Sequence, residues 1–194
     1  MSRLFVSLNV PEDVKRRIVQ IREAIPESSR FRWESKKKIH LTLKFIGEVS
    51  DEVIPQVKEQ LKFLKKSNGF NCEAYKFEFF YVKKMPKIVW MRVKVKPAIH
   101  PLIEKINDVL AEIGIEKDER PFVPHLTLLR LRGHESPAFL EKVLEQKFEP
   151  ITFFTDEISV TESTLLPTGS VYREVIKYKL NKGIENDTGQ GNET

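Results

Sequence analysis

The chain has 194 residues, 40% of them hydrophobic and 10% aromatic, enough for one compact unit with a substantial core and too few for a long multidomain enzyme. Its 33 Lys and Arg outweigh 28 Asp and Glu to leave a formal charge of +5, a balance suited to a polyanionic partner. A single cysteine, Cys72, excludes an internal disulfide, and no Cys-x-x-Cys or Cys/His cluster offers a structural zinc site.

From the N-terminus, Arg3 to Asn9 reads as a strand rather than a leader, because the apolar run is short and Pro11 follows it. Val14, Ile18, Ile21 and Ile25 then recur at helical spacing. Lys38 to Ile46 is β-rich and stops at Gly47, after which Ser50 can cap a helix carrying Val57, Leu61 and Leu64. Phe70 to Tyr81 and Ile88 to Val95 are predicted strands around a turn at Lys83 to Lys87. Pro97 to Ile113 is a predicted helix ended by Gly114, and Pro124 to Arg132 a β-rich run. Ser136 and Pro137 open a further helix with Leu140, Val143 and Leu144 inward. Ile151 to Ser163 and Val171 to Leu180 are the last predicted strands, and the polar stretch 181–194 reads as a flexible tail. No stretch approaches the ~18 apolar residues of a membrane span, so a cytoplasmic, monomeric protein is expected.

His-Leu-Thr-Leu occurs twice, at 40–43 and 125–128, a displacement of 85 residues. The strand beginning at Arg3 and that beginning at Ile88 keep the same displacement, and helices fall alike around each copy. These features predict an α+β fold of two duplicated, pseudo-symmetric lobes with antiparallel sheets around a central cleft, fused into one domain over 1–180. Alternation along a strand sends Leu41, Leu43, Leu126 and Leu128 into the lobe cores and His40, Thr42, His125 and Thr127 to the other side. Two imidazoles and two hydroxyls facing each other suit in-line displacement at a phosphodiester. One imidazole takes the proton of the attacking oxygen, the other protonates the leaving oxygen, and the hydroxyls hold the nonbridging oxygens.

At these residues the chain resembles the two-histidine phosphoesterase superfamily, and within it the RNA 2′,3′-cyclic phosphodiesterases, also called the 2′-5′ RNA ligase family. The resemblance covers roughly residues 1 to 180. It includes Arg3-Leu4-Phe5-Val6, Arg32-Trp33, His40-Leu41-Thr42-Leu43-Lys44-Phe45-Ile46-Gly47, the run from Arg120 to Arg130, Glu162-Ser163-Thr164-Leu165, and Gly169 with Tyr172. It implies hydrolysis of terminal 2′,3′-cyclic phosphates to 2′-phosphates, reversible 2′-5′ ligation in some members, and no metal or organic cofactor. The implied partner is RNA with a cyclic-phosphate end, tRNA halves being one such substrate. His125 is carried over as base and His40 as acid, with Thr42, Thr127 and Arg130 on the phosphate.

Some residues keep two readings. Strict alternation places Arg130 with Leu126 and Leu128, away from the cleft, whereas the resemblance gives it a substrate role that requires a bulge or twist in the strand. Phe45 and Trp33 are stacking platforms or core, and Lys36-Lys37-Lys38 is an RNA contact or a solvated edge. Cys72 reads as packing, His100 and His134 as surface. Two other functions fit the same residues: a noncatalytic RNA-binding module in the basic groove, and a cyclic phosphodiesterase for small nucleotides.

Overall fold

Eight strands, each antiparallel to its neighbours, form one sheet in the order β6-β3-β4-β5-β2-β1-β7-β8 in this computed structural model, which describes residues 1–167 and 169–182. The strands are β1 (Ser2–Asn9), β2 (His40–Val49), β3 (Phe70–Val82), β4 (Met85–Val95), β5 (His125–Arg130), β6 (Ile151–Thr155), β7 (Glu157–Leu166) and β8 (Gly169–Lys179). Four helices, α1 (Glu12–Glu23), α2 (Ile54–Gln60), α3 (Ile99–Ala111) and α4 (Pro137–Glu145), occur among the described residues. The fold is α+β with antiparallel pairing, as the pattern predicts, and its strands form one sheet curled into a half-barrel.

The helices cover the face into which the motif leucines point. Leu41, Leu43, Leu126 and Leu128 are at most 4% exposed and share one core with Ile18, Ile106, Leu110, Phe139 and Val143. Each fully buried Leu or Phe contributes about 1.5–3 kcal/mol over leaving it in water. The opposite, concave face is left to the histidines and threonines.

Several local boundaries differ from the sequence reading, each for a physical reason. Ile151 to Ser163 is two strands. The chain turns at Asp156, where the Thr155 hydroxyl donates to the Asn9 carbonyl (2.5 Å) and Leu180 N–H donates to the Asp156 carbonyl (2.7 Å). β6 therefore pairs with β3 at one edge, while β7 crosses to pair with β1. The halves of the sheet consequently do not coincide with the halves of the sequence, since β3 sits beside β4 and β7 and β8 extend the half that holds β1. Phe5 lies opposite Phe45 and Ile88 opposite Arg130, so the first strands of the repeat are offset by 83 residues while the histidine strands are offset by 85.

In α4 the buried residues are Phe139 and Val143, and Leu144, expected inward, is 51% exposed. Ser136 caps that helix, its hydroxyl accepting from Phe139 N–H at 3.2 Å. Ser50 makes no such bond, and its segment starts as a 3₁₀ turn at Asp51–Val53 before α2. Asn181, read as the start of a tail, is pinned. Gly69 N–H donates to its carbonyl, and its own N–H donates to Ser67, both at 2.8 Å. The remainder of that predicted tail, from 183 on, lies outside the described residues.

Candidate active site

A bulge, present in both copies of the motif, shapes the site. In β4–β5 the register passes from Val89 opposite Leu129 to Trp90 opposite Thr127, leaving Leu128 as an extra residue, so Leu128 and Leu129 are buried in succession. In β1–β2 it passes from Val6 opposite Lys44 to Ser7 opposite Thr42, and Leu43 and Lys44 are likewise buried in succession. One extra residue reverses the facing of all that follow. Phe45 and Arg130 thus return to the histidine face, which resolves the alternation argument against Arg130 in favour of the cleft. The Leu128 bulge is satisfied from outside the sheet, its carbonyl accepting from Glu34 N–H at 2.8 Å. The buried Lys44 ammonium donates to the Glu116 carbonyl (2.5 Å) and pairs with Asp118 (3.4 Å), fastening the loop after α3 under β2.

The two halves of the sheet meet at Leu41 opposite Leu126. Antiparallel continuation from that pair sets His40 beside Thr127 and Thr42 beside His125, with the imidazoles on a diagonal. Each ring is oriented from behind: His40 Nδ1 lies 2.7 Å from the Lys38 carbonyl and His125 Nδ1 lies 2.7 Å from the Val123 carbonyl. A carbonyl only accepts, so Nδ1 carries the proton and Nε2 is the reactive nitrogen in both neutral rings. His40 Nε2 stands 3.1 Å from the Thr42 hydroxyl.

Aromatic walls hold both imidazoles. His40 stacks on Phe5 (centroids 4.8 Å apart) and meets the edge of Tyr172, while His125 is wedged edge-on against Phe80 (4.9 Å) and Trp90 (5.5 Å). Burial against these rings disfavours the imidazolium. It pushes His40 down to about 4, against the pull of the Lys38 carbonyl and with help from the Lys15 charge, and it lowers His125 against the pull of the Val123 carbonyl. Both rings are therefore neutral in the free protein at neutral pH, and an anion between them raises both.

Two cavities open along β1 on either side of the Phe5–His40–Tyr172 ring cluster. At the end toward Arg3 and Phe45 lies a groove of about 1060 Å³, lined by Arg3, Arg32, Arg120, Arg130 and Arg132 among others. Glu34 organises part of it, its carboxylate 3.3 Å from Arg130 Nε and 3.1 Å from Lys38 Nζ. Phe45, 63% exposed, offers an open ring face there; Trp33 also reaches the groove but is tethered, its indole N–H donating to the Ser28 carbonyl at 3.0 Å. At the other end, toward Asn9 and Val10, a second cavity of about 490 Å³ reaches His40 and includes Lys15, Lys37 and Lys177.

The structure brings together all five residues singled out from the sequence, His40, Thr42, His125, Thr127 and Arg130, on the concave face. The Lys36 to Lys38 run is divided: Lys36 pairs with Glu12, Lys37 lines the smaller cavity, and Lys38 pairs with Glu34 and stands 5.6 Å from the Tyr172 ring centre. Glu34, Lys15 and the aromatic walls carried no local signal of a role, since only the folded register places them beside the histidines. Cys72 is buried packing, its thiol pushed up to about 12 by burial. Among the described residues no group of three or more His, Cys, Asp or Glu is arranged to hold a metal ion, and no helix is long and apolar enough to cross a membrane.

Known proteins resemble this chain in sequence and in fold. The chain is 30% identical to an RNA 2′,3′-cyclic phosphodiesterase of Thermotoga maritima over 94% of its own length and 97% of that protein's. It is 28% identical to one of Methanocaldococcus jannaschii, with 90% and 98% covered. Among solved structures, a Thermus thermophilus protein superposes with a TM-score of 0.73 at 23% identity, covering 93% of this chain and 98% of that one. E. coli LigT, solved with 3′-AMP, gives 0.72 at 22% identity with 93% and 99% covered. The family described as LigT like phosphoesterase matches residues 8–90 and 92–172, on either side of a single residue, and the chain belongs to that family of hydrolases acting on phosphodiester bonds.

Proposed function

We propose that the chain hydrolyses 2′,3′-cyclic phosphate ends of RNA to 2′-phosphates without a metal ion, and that it joins RNA ends reversibly through 2′-5′ linkages. The observation that carries this reading is the pair of imidazoles, each locked through Nδ1 to a backbone carbonyl so that two Nε2 atoms share one concave face with two threonine hydroxyls. The names of the relatives point to the same substrate. In-line attack at phosphorus needs one proton accepted and one delivered on opposite sides, and a pair with one ring neutral and the other protonated supplies both. Thr42 and Thr127 donate to nonbridging oxygens, and Arg130 adds a charge-assisted fork to the phosphate.

The family resemblance puts the base on His125 and the acid on His40; the deeper desolvation of His40 favours the reverse order in the free protein. Two measurements decide the matter. Product analysis on a defined RNA with a 2′,3′-cyclic end, in EDTA, should yield a 2′-phosphate; a 3′-phosphate, or no turnover, would defeat the reading. A substrate whose leaving 3′-oxygen is replaced by sulfur needs little protonation, so it should restore turnover to whichever His→Ala variant has lost the acid. An oligonucleotide that binds without turning over would favour the RNA-binding module, and turnover confined to cyclic mononucleotides the small-nucleotide enzyme.

A further inference from the structure

The smaller cavity differs in kind from the arginine-rich groove. It lies at the opposite end of β1, beyond the ring cluster of Phe5, His40 and Tyr172, and His40 is part of its wall. Its three carboxylates are already neutralised: Glu12 pairs with Lys36, Glu157 with Lys177 (3.5 Å) and Lys179 (3.3 Å), and Glu174 with Lys177 (3.4 Å). The ammonium groups of Lys15, on the first turn of α1, and Lys37, in the 3₁₀ turn before β2, make no ion pair or hydrogen bond among the described residues. Lys15 is partly buried all the same, and its ammonium is held below its ordinary range by burial, against the pull of Glu12 and Glu174 and with help from the Lys36 and Lys177 charges. A partly desolvated cation with no carboxylate in direct contact, facing a cavity that opens on a reactive imidazole, is arranged for an anion that arrives with a ligand.

An RNA end bearing a cyclic phosphate sends only one strand away from the scissile phosphorus, and the larger groove, with its arginines and the open Phe45 ring, has the volume and chemistry for that strand. A second exit lined by unpaired lysines serves no purpose for hydrolysis by water. We propose that the cavity around Lys15 and Lys37 is the subsite for a second RNA strand with a 5′-hydroxyl end, Lys15 and Lys37 holding its first internucleotide phosphates. The inference rests on the phosphoesterase reading above. In the joining reaction the 5′-oxygen bonds to phosphorus, the P–O3′ bond breaks, and a 2′-5′ phosphodiester and a free 3′-hydroxyl result. The 5′-hydroxyl proton passes to one neutral imidazole, and the other, protonated to imidazolium once the anionic phosphate is bound, protonates O3′. Nothing else is consumed.

The test uses hydrolysis of a cyclic mononucleotide by the whole protein, with two added probes that lack a cyclic phosphate: a 5′-hydroxyl trinucleotide and an unphosphorylated nucleoside. The trinucleotide should inhibit hydrolysis by displacing the attacking water. Lys15→Gln and Lys37→Gln should each weaken that inhibition by about tenfold, the scale of one charge-assisted contact, with the nucleoside's weak inhibition equal in all three proteins. A 5′-phosphorylated trinucleotide should inhibit poorly, because its 5′-oxygen is blocked. If the trinucleotide fails to inhibit, or inhibits wild type and variants equally, the subsite is wrong while the hydrolase reading stands. If the lysine variants instead raise KM for RNA carrying the cyclic phosphate, the cavity holds the first strand and the assignment is overturned. If the cyclic mononucleotide and cyclic-ended RNA are both left intact by wild type, the phosphoesterase reading and the subsite fall together.

Discussion

His40 and His125 occupy copies of one strand design, with the same Nδ1 anchor, the same threonine two residues on and the same bulge after it, but their surroundings diverge. Where the bulge turns the chain back to the concave face, the first copy presents Phe45 and the second Arg130. Opposite the imidazole, β1 supplies Asn9 and β4 supplies Arg92. A stack against Phe5 walls one ring, and an edge-on wedge between Phe80 and Trp90 walls the other. Duplication thus accounts for a pair of identically anchored imidazoles, and the differences around them set an exposed aromatic ring after one and an arginine after the other.

Removing either member of the symmetric pair should have the largest effect. His40→Ala or His125→Ala is expected to lower turnover by roughly 10²- to 10⁴-fold, the usual worth of a general acid or base. Both variants should keep the wild-type circular dichroism spectrum. Near-normal turnover in one of them would remove that histidine from the chemistry and end the pairing argument.

The asymmetric positions come next. Arg130→Ala should lower kcat/KM by about ten- to a hundredfold, with the same loss on cyclic mononucleotides as on RNA, if the proposed contact to the reacting phosphate holds. Phe45→Ala should act through KM, more for purine than pyrimidine ends, since stacking on an aromatic ring is worth about 1–3 kcal/mol per base. Indifference of the Phe45 variant to the base would mean that the two bulges present no division of labour. Thr42→Ala and Thr127→Ala, each losing one neutral donor, should cost about several-fold, less than either histidine. A threonine variant slower than both histidine variants would reverse that order.

How far the sequence discloses this site depends on the range of the interaction. Period-two alternation and two identical tetrapeptides suffice to put His40, Thr42, His125 and Thr127 on one face, because a strand's facing is a local property. Arg130 needed the bulge at Leu128, which turns on how β5 registers against β4 and on the Glu34 N–H that caps its carbonyl, 94 residues away in the chain. Tyr172 and Phe80 reach the histidines only because β7 and β8 cross to the β1 half and β3 to the β4 half, a swap hidden in a run that reads as one strand through Asp156. Lys15 had no signal at all, being one more charge on the polar side of an amphipathic helix.

The smallest expected effect concerns stability and bears on the unequal burial of the two rings. An unfolded histidine titrates near 6.5, whereas His40 in the folded protein is pushed down to about 4. Between these values the unfolded chain binds a proton that the folded one refuses, so stability falls as pH drops from about 6.5 to about 4 and is flat above that window as far as this group is concerned. His40→Gln removes the titration while an amide can still donate to the Lys38 carbonyl. Its Tm should therefore fall less than the wild-type Tm between pH 7 and pH 4.5, carboxylate titration being common to both proteins and cancelling in the difference. His125→Gln should show the same sign with a smaller difference, because His125 is lowered by the same burial but less far. Equal Tm losses in wild type and the His40 variant would mean that the imidazole takes up its proton in the folded state as readily as in water. The ring stack of Phe5 and Tyr172 would then not be what separates the first histidine from the second.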